Sequence, residues 1–396
     1  MRILIIGDAY NQYNIALVEY LKLYDRRVVV DIINTRVVTD PNSGDLRFKY
    51  DNVYHYRVLG KIERRLPKIR SWILKFRGAR VIRNINQQLF SYDVLCLQGF
   101  WFDVMNAFLE LDAKHIFTIG AFWGSDFYQR GTFGSKVASV LDRCDRIVIS
   151  TKEMAHDIRS VYNISDSKIR NCIFGLAPLE ELYRMRRVSR SEARAALNIE
   201  QDALVITCGY NGRPHQQHRQ VIKYLATIKD ILEKERVLLL FPMTYAVEAN
   251  YKESVKSLLS SFGLNYRVLE TYMTDQEIAY LRIATDIFIQ LQVSDAFSGS
   301  MREHLFAKNI VITGAWLPYQ SLIDEGIYFE VINDIESVSK KVRHVLQNIE
   351  SYRDVVQLAN SHEKFEMSRW PICIAEWHNA FSEYKSKNDG KKDPFN

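Results

Sequence analysis

The feature that most constrains this chain is a repeated alternation of short apolar runs with longer segments of helical period. Runs at Arg2–Ile6, Val28–Ile33, Val94–Leu97, His115–Ile119 and Arg146–Ser150 are too brief for buried helices. They lack the in–out alternation of a half-exposed strand, so they suit parallel strands covered on both faces. A second series follows at Leu204–Cys208, Val237–Phe241, Tyr266–Leu269, Ile287–Leu291 and Ile310–Thr313. Two helices of this half carry capping boxes, Ser189-Arg-Ser-Glu192 and Thr274-Asp-Gln-Glu277, in which hydroxyl and carboxylate satisfy orphan N–H groups reciprocally. The pattern predicts an α/β chain with two doubly wound domains.

The expected boundaries are 1–178 for the first Rossmann-like domain, 179–194 for a polar, Arg-rich linker and 195–364 for the second domain. A long closing helix is expected over 365–387, with Trp370, Trp377, Phe381 and Tyr384 as packing residues, and a disordered tail over 388–396. At 396 residues each half can bury its own core. Ligands in such folds bind at the carboxyl ends of the strands, so two facing domains would line a central cleft. The five cysteines are odd in number, scattered and without zinc-type spacing, which predicts reduced core residues in a cytoplasmic protein. No stretch is apolar enough to span a bilayer, and a net charge of +6 does not by itself indicate a nucleic-acid partner.

Three segments carry candidate chemistry. The first runs from Ser294 through Asp295, Phe297, Ser298, Gly299, Ser300, Arg302 and Glu303 to the strand Ile310–Thr313. A small-residue turn leading into a helix lets backbone N–H groups approach a phosphate. Glu303 is expected in the first turn of that helix, accepting hydrogen bonds from ribose hydroxyls. Read alone, Asp295 and Glu303 also fit surface carboxylates that cap a helix. The second segment is Val205-Ile-Thr-Cys-Gly209-Tyr-Asn211-Gly212-Arg213-Pro-His215-Gln-Gln-His218, with two glycines for a turn and Arg213 and His218 as cations. The third is His115-Ile-Phe-Thr-Ile-Gly-Ala-Phe-Trp123-Gly124-Ser-Asp126. Trp123 offers a flat face for a sugar ring, and Asp126 is a candidate base for an acceptor hydroxyl. Equally, Trp123 fits a core residue and Asp126 a helix cap. The first loop, Gly7-Asp8-Ala-Tyr10-Asn11, suits carbohydrate through Asp8 and Tyr10, or simply a turn.

Taken together, these segments resemble glycosyltransferases of the two-domain GT-B kind. Asp295 and Glu303 stand seven residues apart, as in the E-x7-E element of glycosyltransferase family 4, with Asp in place of the first Glu. The Gly-x-Asn-Gly…Gln-His and Trp-Gly-x-Asp patterns are similar to those of Fuc4NAc-transferase-like enzymes of surface-polysaccharide synthesis. The resemblance implies a hexosyltransferase-like enzyme using a nucleotide diphosphate sugar as substrate, with no further cofactor, and no metal is expected because the sequence holds no Asp-x-Asp. It implies donor binding by Gly209, Asn211, Gly212, Arg213, His218, Ser298, Gly299, Ser300 and Glu303. Acceptor binding would fall to Asp8, Tyr10 and Trp123, and catalysis to Asp126 and Asp295. The acceptor would be a glycan or a lipid-linked saccharide. A noncatalytic sugar-nucleotide or glycan-binding protein, or a sugar-nucleotide epimerase, would use the same fold. Finally, residues 60–83 hold nine Lys or Arg and a single Glu, interleaved with Trp72, Ile73, Leu74 and Phe76. That mixture predicts docking on an anionic membrane, peripheral on its inner face, or else a solvated helix whose apolar residues pack inward.

Overall fold

The computed structural model describes residues 1–40, 46–60, 63–65, 67–128 and 135–385. Among them the chain divides into two compact units. One is Met1–Gly175 together with the chain from Trp370, the other Leu176–Arg369.

The first unit holds a parallel sheet of β1 (Arg2–Gly7), β2 (Val29–Asn34), β3 (Asn52–His55), β4 (Val94–Gln98), β5 (Phe117–Ala121), β6 (Arg146–Ile149) and β7 (Ile169–Asn171). Its order is β3-β2-β1-β4-β5-β6-β7, with Ile3 in register with Val30 on one side and Val94 on the other. The second unit holds β8 (Leu204–Cys208), β9 (Val237–Pro242), β10 (Tyr266–Leu269), β11 (Ile287–Gln290), β12 (Ile310–Gly314) and β13 (Glu330–Ile332), in the order β10-β9-β8-β11-β12-β13. Here Ile206 pairs with Leu239 and with Ile287. In both sheets the order reverses beside the first strand, which opens a crevice between β1 and β4 and another between β8 and β11. The central strands are buried end to end, which is why their sequences read as unbroken apolar runs. Both capping boxes form, at the helices Arg190–Ala196 and Asp275–Ala284.

Two expectations need correction. Residues 179–194 are not a linker between the units. They fall largely in the helices Ala177–Arg184 and Arg190–Ala196 of the second unit. Leu179 and Leu182 share a core with Phe288, Met301 and Leu305. Arg190 and Arg194 reach the buried Asp286 carboxylate at 3.0 and 2.6 Å, and Arg353 joins at 2.7 Å. The long closing helix over 365–387 is also broken. A 3-10 segment, His362–Ser368, precedes the helix Trp370–Ser382. Pro371 is its second residue, where a missing N–H costs nothing. This helix belongs to the first unit, where Trp370, Cys373, Trp377 and Phe381 pack with Ile3, Leu17, Leu21 and Val30. The expected tail, 388–396, lies outside the described residues. All five cysteines are buried and none forms a disulfide.

Candidate functional site

The two loops that leave the β8/β11 crevice are tied to each other by side chains. Gly209, after β8, has a φ of +65°, and a Cβ there would stand 2.7 Å from His218 Nε2 and 2.8 Å from Gln216 Oε1. Only glycine fits both the conformation and the space. Gly212 is equally confined, because a Cβ would lie 2.7 Å from Val247 Cγ2. Asn211 is buried and accepts the Arg213 N–H at 3.0 Å. Gln216 then accepts the Tyr210 N–H at 3.1 Å and donates to Gln292 Oε1 at 2.6 Å, which also accepts from the Tyr210 hydroxyl at 3.1 Å. Gln217 donates to the Leu291 carbonyl at 2.7 Å, and His215 Nε2 lies 2.9 Å from the Ser294 carbonyl. His215 is therefore a brace between loops.

His218 opens the helix His218–Ala226, and Gln217 before it adopts a left-handed φ of +58° without capping that helix through its side chain. The expectation of His218 as a cation is overturned. The ring is buried, and loss of hydration pushes its pKa down to about 3, so it is neutral at physiological pH. Nδ1 meets the Tyr251 hydroxyl at 3.3 Å, while Nε2 is buried beside Gly209 with no partner. Arg213 is exposed and is the cation that remains in this loop.

After β11 the chain turns through Asp295–Ser298 into the helix Gly299–Phe306. Asp295 Oδ2 accepts from the Ser298 N–H at 2.9 Å, from Gln290 Nε2 at 3.2 Å and from the Tyr319 hydroxyl. Phe297 is held at a φ of +64°, a strained conformation for a residue with a large side chain, and its ring lies 5.5 Å beneath the Arg302 guanidinium. Ser298 caps the helix by accepting the Met301 N–H at 3.4 Å. Ser300 is buried with its hydroxyl unpartnered.

Glu303 is the fifth residue of this helix, in its second turn rather than its first. Its Oε2 accepts from Arg282 Nε and also pairs with the second guanidinium nitrogen, both at 3.0 Å, and both residues are buried. Oε1 instead faces Gly299, 3.5 Å from where a Cβ would be. Thus Arg282 orients Glu303 through one oxygen and leaves the other to the turn.

Sequence reasoning missed Gln290, Gln292, Tyr210 and Tyr319. The signal was present in the run Ile287-Phe-Ile-Gln290-Leu-Gln292, which holds β11 and the two residues after it. Two amides at period two, at the carboxyl end of a buried strand, share a face and must find partners. Gln290 Oε1 and Gln292 Nε2 are both buried and unpartnered.

In the first unit the carboxyl edge is arranged differently. Asp126 is wholly buried in the short helix Ser125–Tyr128. Its two oxygens accept the Phe100 N–H at 2.8 Å and the Trp123 N–H at 2.9 Å. Burial outweighs these bonds and raises its pKa to about 6. The carboxylate is turned inward to fix two loops, a geometry that gives a base role no support. Trp123 is half-buried, donates through Nε1 to Gln98 at 3.1 Å, and meets Tyr13 and Phe174 at centroid distances of 5.7 and 5.4 Å. Asp8 accepts the Tyr10 N–H at 2.9 Å and lies 3.7 Å from Arg36, whose guanidinium stands 5.3 Å from the Tyr10 ring centroid. Asp8, Tyr10 and Trp123 thus lie along the loops of one sheet edge. Among the described residues, no three His, Cys, Asp or Glu side chains gather as a metal site.

No family model matches this sequence, and no curated protein matches it. Solved structures do. A glycosyltransferase from Rickettsia africae superposes with a TM-score of 0.68 at 14% identity, covering 97% of this chain and 98% of the other. Anabaena Alr3699/HepE, in complex with UDP and glucose, gives 0.67 at 11% identity over 97% and 100%. UDP-GlcNAc 2-epimerase from Neisseria meningitidis, bound to UDP-GlcNAc, gives 0.62 at 12% identity over 97% and 100%. At these identities the likeness establishes the fold alone, and the fold is GT-B: two doubly wound parallel-sheet domains.

Proposed function

We propose that this chain is a glycosyltransferase that moves a sugar from a nucleoside diphosphate sugar onto a glycan or lipid-linked saccharide, without a metal, in surface-polysaccharide synthesis. One observation carries the reading. Among the described residues, the segments around the β8/β11 crevice hold four buried polar atoms without partners: His218 Nε2, Gln290 Oε1, Gln292 Nε2 and Ser300 Oγ. Buried polar groups are nearly always satisfied, so a cluster of exceptions marks a place where a polar ligand completes the bonds. The ligand of the fold relative HepE is UDP, and a nucleoside diphosphate has the phosphate oxygens, ribose hydroxyls and base edge to meet such a set.

In this reading the Gly209–Gly212 turn, with Asn211 holding its shape, and the start of the helix at His218 receive the diphosphate. His218 acts as a neutral hydrogen-bonding group. Arg213 balances the charge of the leaving group. The Ser298–Gly299–Ser300 turn adds hydroxyl and amide donors. Glu303 Oε1 accepts from the ribose hydroxyls, and Asp295 contacts the transferred sugar. Asp8, Tyr10 and Trp123 serve the acceptor. With Asp126 sealed, the course that needs no side-chain base is favoured. The acceptor oxygen bonds to the anomeric carbon, the bond from that carbon to the phosphate oxygen breaks, and the departing phosphate takes the acceptor proton.

The second reading is a sugar-nucleotide epimerase, favoured by the likeness to the N. meningitidis enzyme. A noncatalytic binding protein is the third. Incubation with a panel of sugar nucleotides, with and without acceptor saccharides, separates them. The transferase releases nucleoside diphosphate only when acceptor is present. Conversion of one sugar nucleotide into another without acceptor identifies an epimerase, and binding without turnover identifies a binding protein.

A further inference from the structure

We infer that the outward face of the helix Pro67–Asn86 is a docking surface for an anionic lipid bilayer, an interaction independent of the sugar-nucleotide site. No described helix is long and apolar enough to cross a membrane, so this is contact in the plane of the surface.

The helix has a clear inner face. Gly78, Ile82 and Ile85 are buried, and a Cβ on Gly78 would stand 2.7 Å from the Tyr56 ring. The side of the helix bearing Gly78 therefore lies directly against Tyr56. At 100° per residue the opposite side carries Ile69, Trp72, Phe76, Arg80 and Arg83, with Lys68 and Lys75 on the flank between the two faces. All seven are exposed. Trp72 is 68% and Phe76 62% exposed, and their rings stack at a centroid distance of 5.7 Å. The large apolar side chains therefore do not pack inward, as a merely solvated helix would require.

Charge on this face is also unbalanced. The single acidic residue of 60–83, Glu63, is taken by Arg77, whose guanidinium nitrogens lie 2.7 and 2.8 Å from its two oxygens. Lys68, Lys75, Arg80 and Arg83 show no ion pair among the described residues. The result is an exposed apolar ridge of Ile69, Trp72 and Phe76 flanked by four cations without an ion pair among the described residues.

That arrangement fits a bilayer better than the other candidate partners. The ridge enters the boundary between headgroups and acyl chains, while the Lys and Arg stems reach back to lipid phosphates. A nucleic-acid backbone would meet the cations but would also press three apolar groups against a polyanion. A second copy docked on the same face would set like charges against each other.

The test is co-sedimentation of the full chain with phosphatidylcholine vesicles, alone or doped with phosphatidylglycerol, at low and high salt. The account expects binding only to the anionic vesicles, weakened by salt. Lys68→Ser, Lys75→Ser, Arg80→Ser and Arg83→Ser together should lower partitioning by about a hundredfold or more. Trp72→Ala with Phe76→Ala should also release the protein, and because all six positions are exposed both variants should melt as the parent does. Binding that ignores lipid charge and salt, or that survives the four Ser substitutions, overturns the inference. So does binding to an oligonucleotide but not to vesicles, or self-association abolished by either variant. Nucleotide binding by the variants, measured without vesicles, should equal that of the parent, so failure here leaves the donor-site reading untouched.

Discussion

The carboxyl edges of the two sheets are built from similar loops and left in opposite states. In the first unit the polar groups are mostly spent on the protein itself. Both oxygens of Asp126 hold backbone amides, Asn34 Oδ1 accepts from Ala9 and Arg36, and Gln98 is engaged at both ends. Asn14 Oδ1 is an exception among the described residues. In the second unit four buried atoms around the β8/β11 crevice have no partner among the described residues. Each such atom costs about 1–3 kcal/mol relative to a satisfied one. On the reading proposed above, the first edge is largely shaped by bonds to its own chain, and the second is the one that receives the donor nucleotide. The same contrast appears in two carboxylates with similar sequence credentials, Asp126 and Glu303, which are held in different ways. The first has both oxygens committed, whereas the second is held by Arg282 through one oxygen only.

The largest expected effect breaks that second arrangement. Glu303→Ala leaves the Arg282 guanidinium buried and uncompensated, and should lower stability by about 3–5 kcal/mol. Glu303→Gln, which keeps an acceptor for Arg282, should lose much less. Denaturant unfolding of both variants checks this, and equal loss in the two would mean that the ion pair does not hold the site.

Acid should then divide the two units. His218 has its pKa held at about 3 when folded, against 6.5 for the free group. The unfolded chain takes the proton first, so the contribution of His218 is full above pH 6.5 and is lost as pH falls toward 3, at about 1.4 kcal/mol per unit. His304, in the same unit, is shifted in the same direction by burial and the nearby Arg282 charge. Asp126 runs the other way. Its pKa rises from 3.8 to about 6, so the folded form holds the proton more tightly and its contribution falls as pH rises from about 4 to 6. Hydrogen exchange between pH 7 and 5 should show protection falling in Leu176–Arg369 before Met1–Gly175. The reverse order would remove these groups as the dominant titrations.

Asp126→Asn sharpens the comparison further. An amide nitrogen cannot accept one of the two backbone N–H bonds, so stability should drop by about 1–3 kcal/mol while turnover of the folded fraction persists. A stable variant with turnover lowered about a hundredfold or more would restore Asp126 as a base. Smallest of all in stability is Arg213→Ala. The melting temperature should not move, because the side chain is exposed, yet nucleoside diphosphate affinity should fall by about tenfold.

Much of the architecture was legible because buried parallel strands leave continuous apolar runs and capping boxes are local. The errors have physical causes. β3 and β13 are edge strands of four and three residues, too short and too half-buried to stand out. The Arg-rich stretch at 179–194 read as a linker because the partner that neutralises Arg190 and Arg194 is Asp286, far along the chain. The closing helix was read through Pro371, which instead marks its start. At the candidate site, the glycines and Glu303 carried local signals. The neutrality of His218 and the inward turn of Asp126 follow from burial, which no short motif records. Gln290 and Gln292 were visible as polar residues ending an apolar strand, but their significance rests on which bonds stay unmade.

The central claim is that the unsatisfied edge of the second unit receives a nucleoside diphosphate. Calorimetric titration of nucleoside diphosphates into the parent chain and into Glu303→Gln tests it most directly. The account predicts saturable binding of one nucleotide by the parent, weakened about ten- to hundredfold in the variant as the ribose loses a charged acceptor, with the fold intact in both. Absence of binding to any nucleoside diphosphate, or equal affinity in parent and variant, would contradict it.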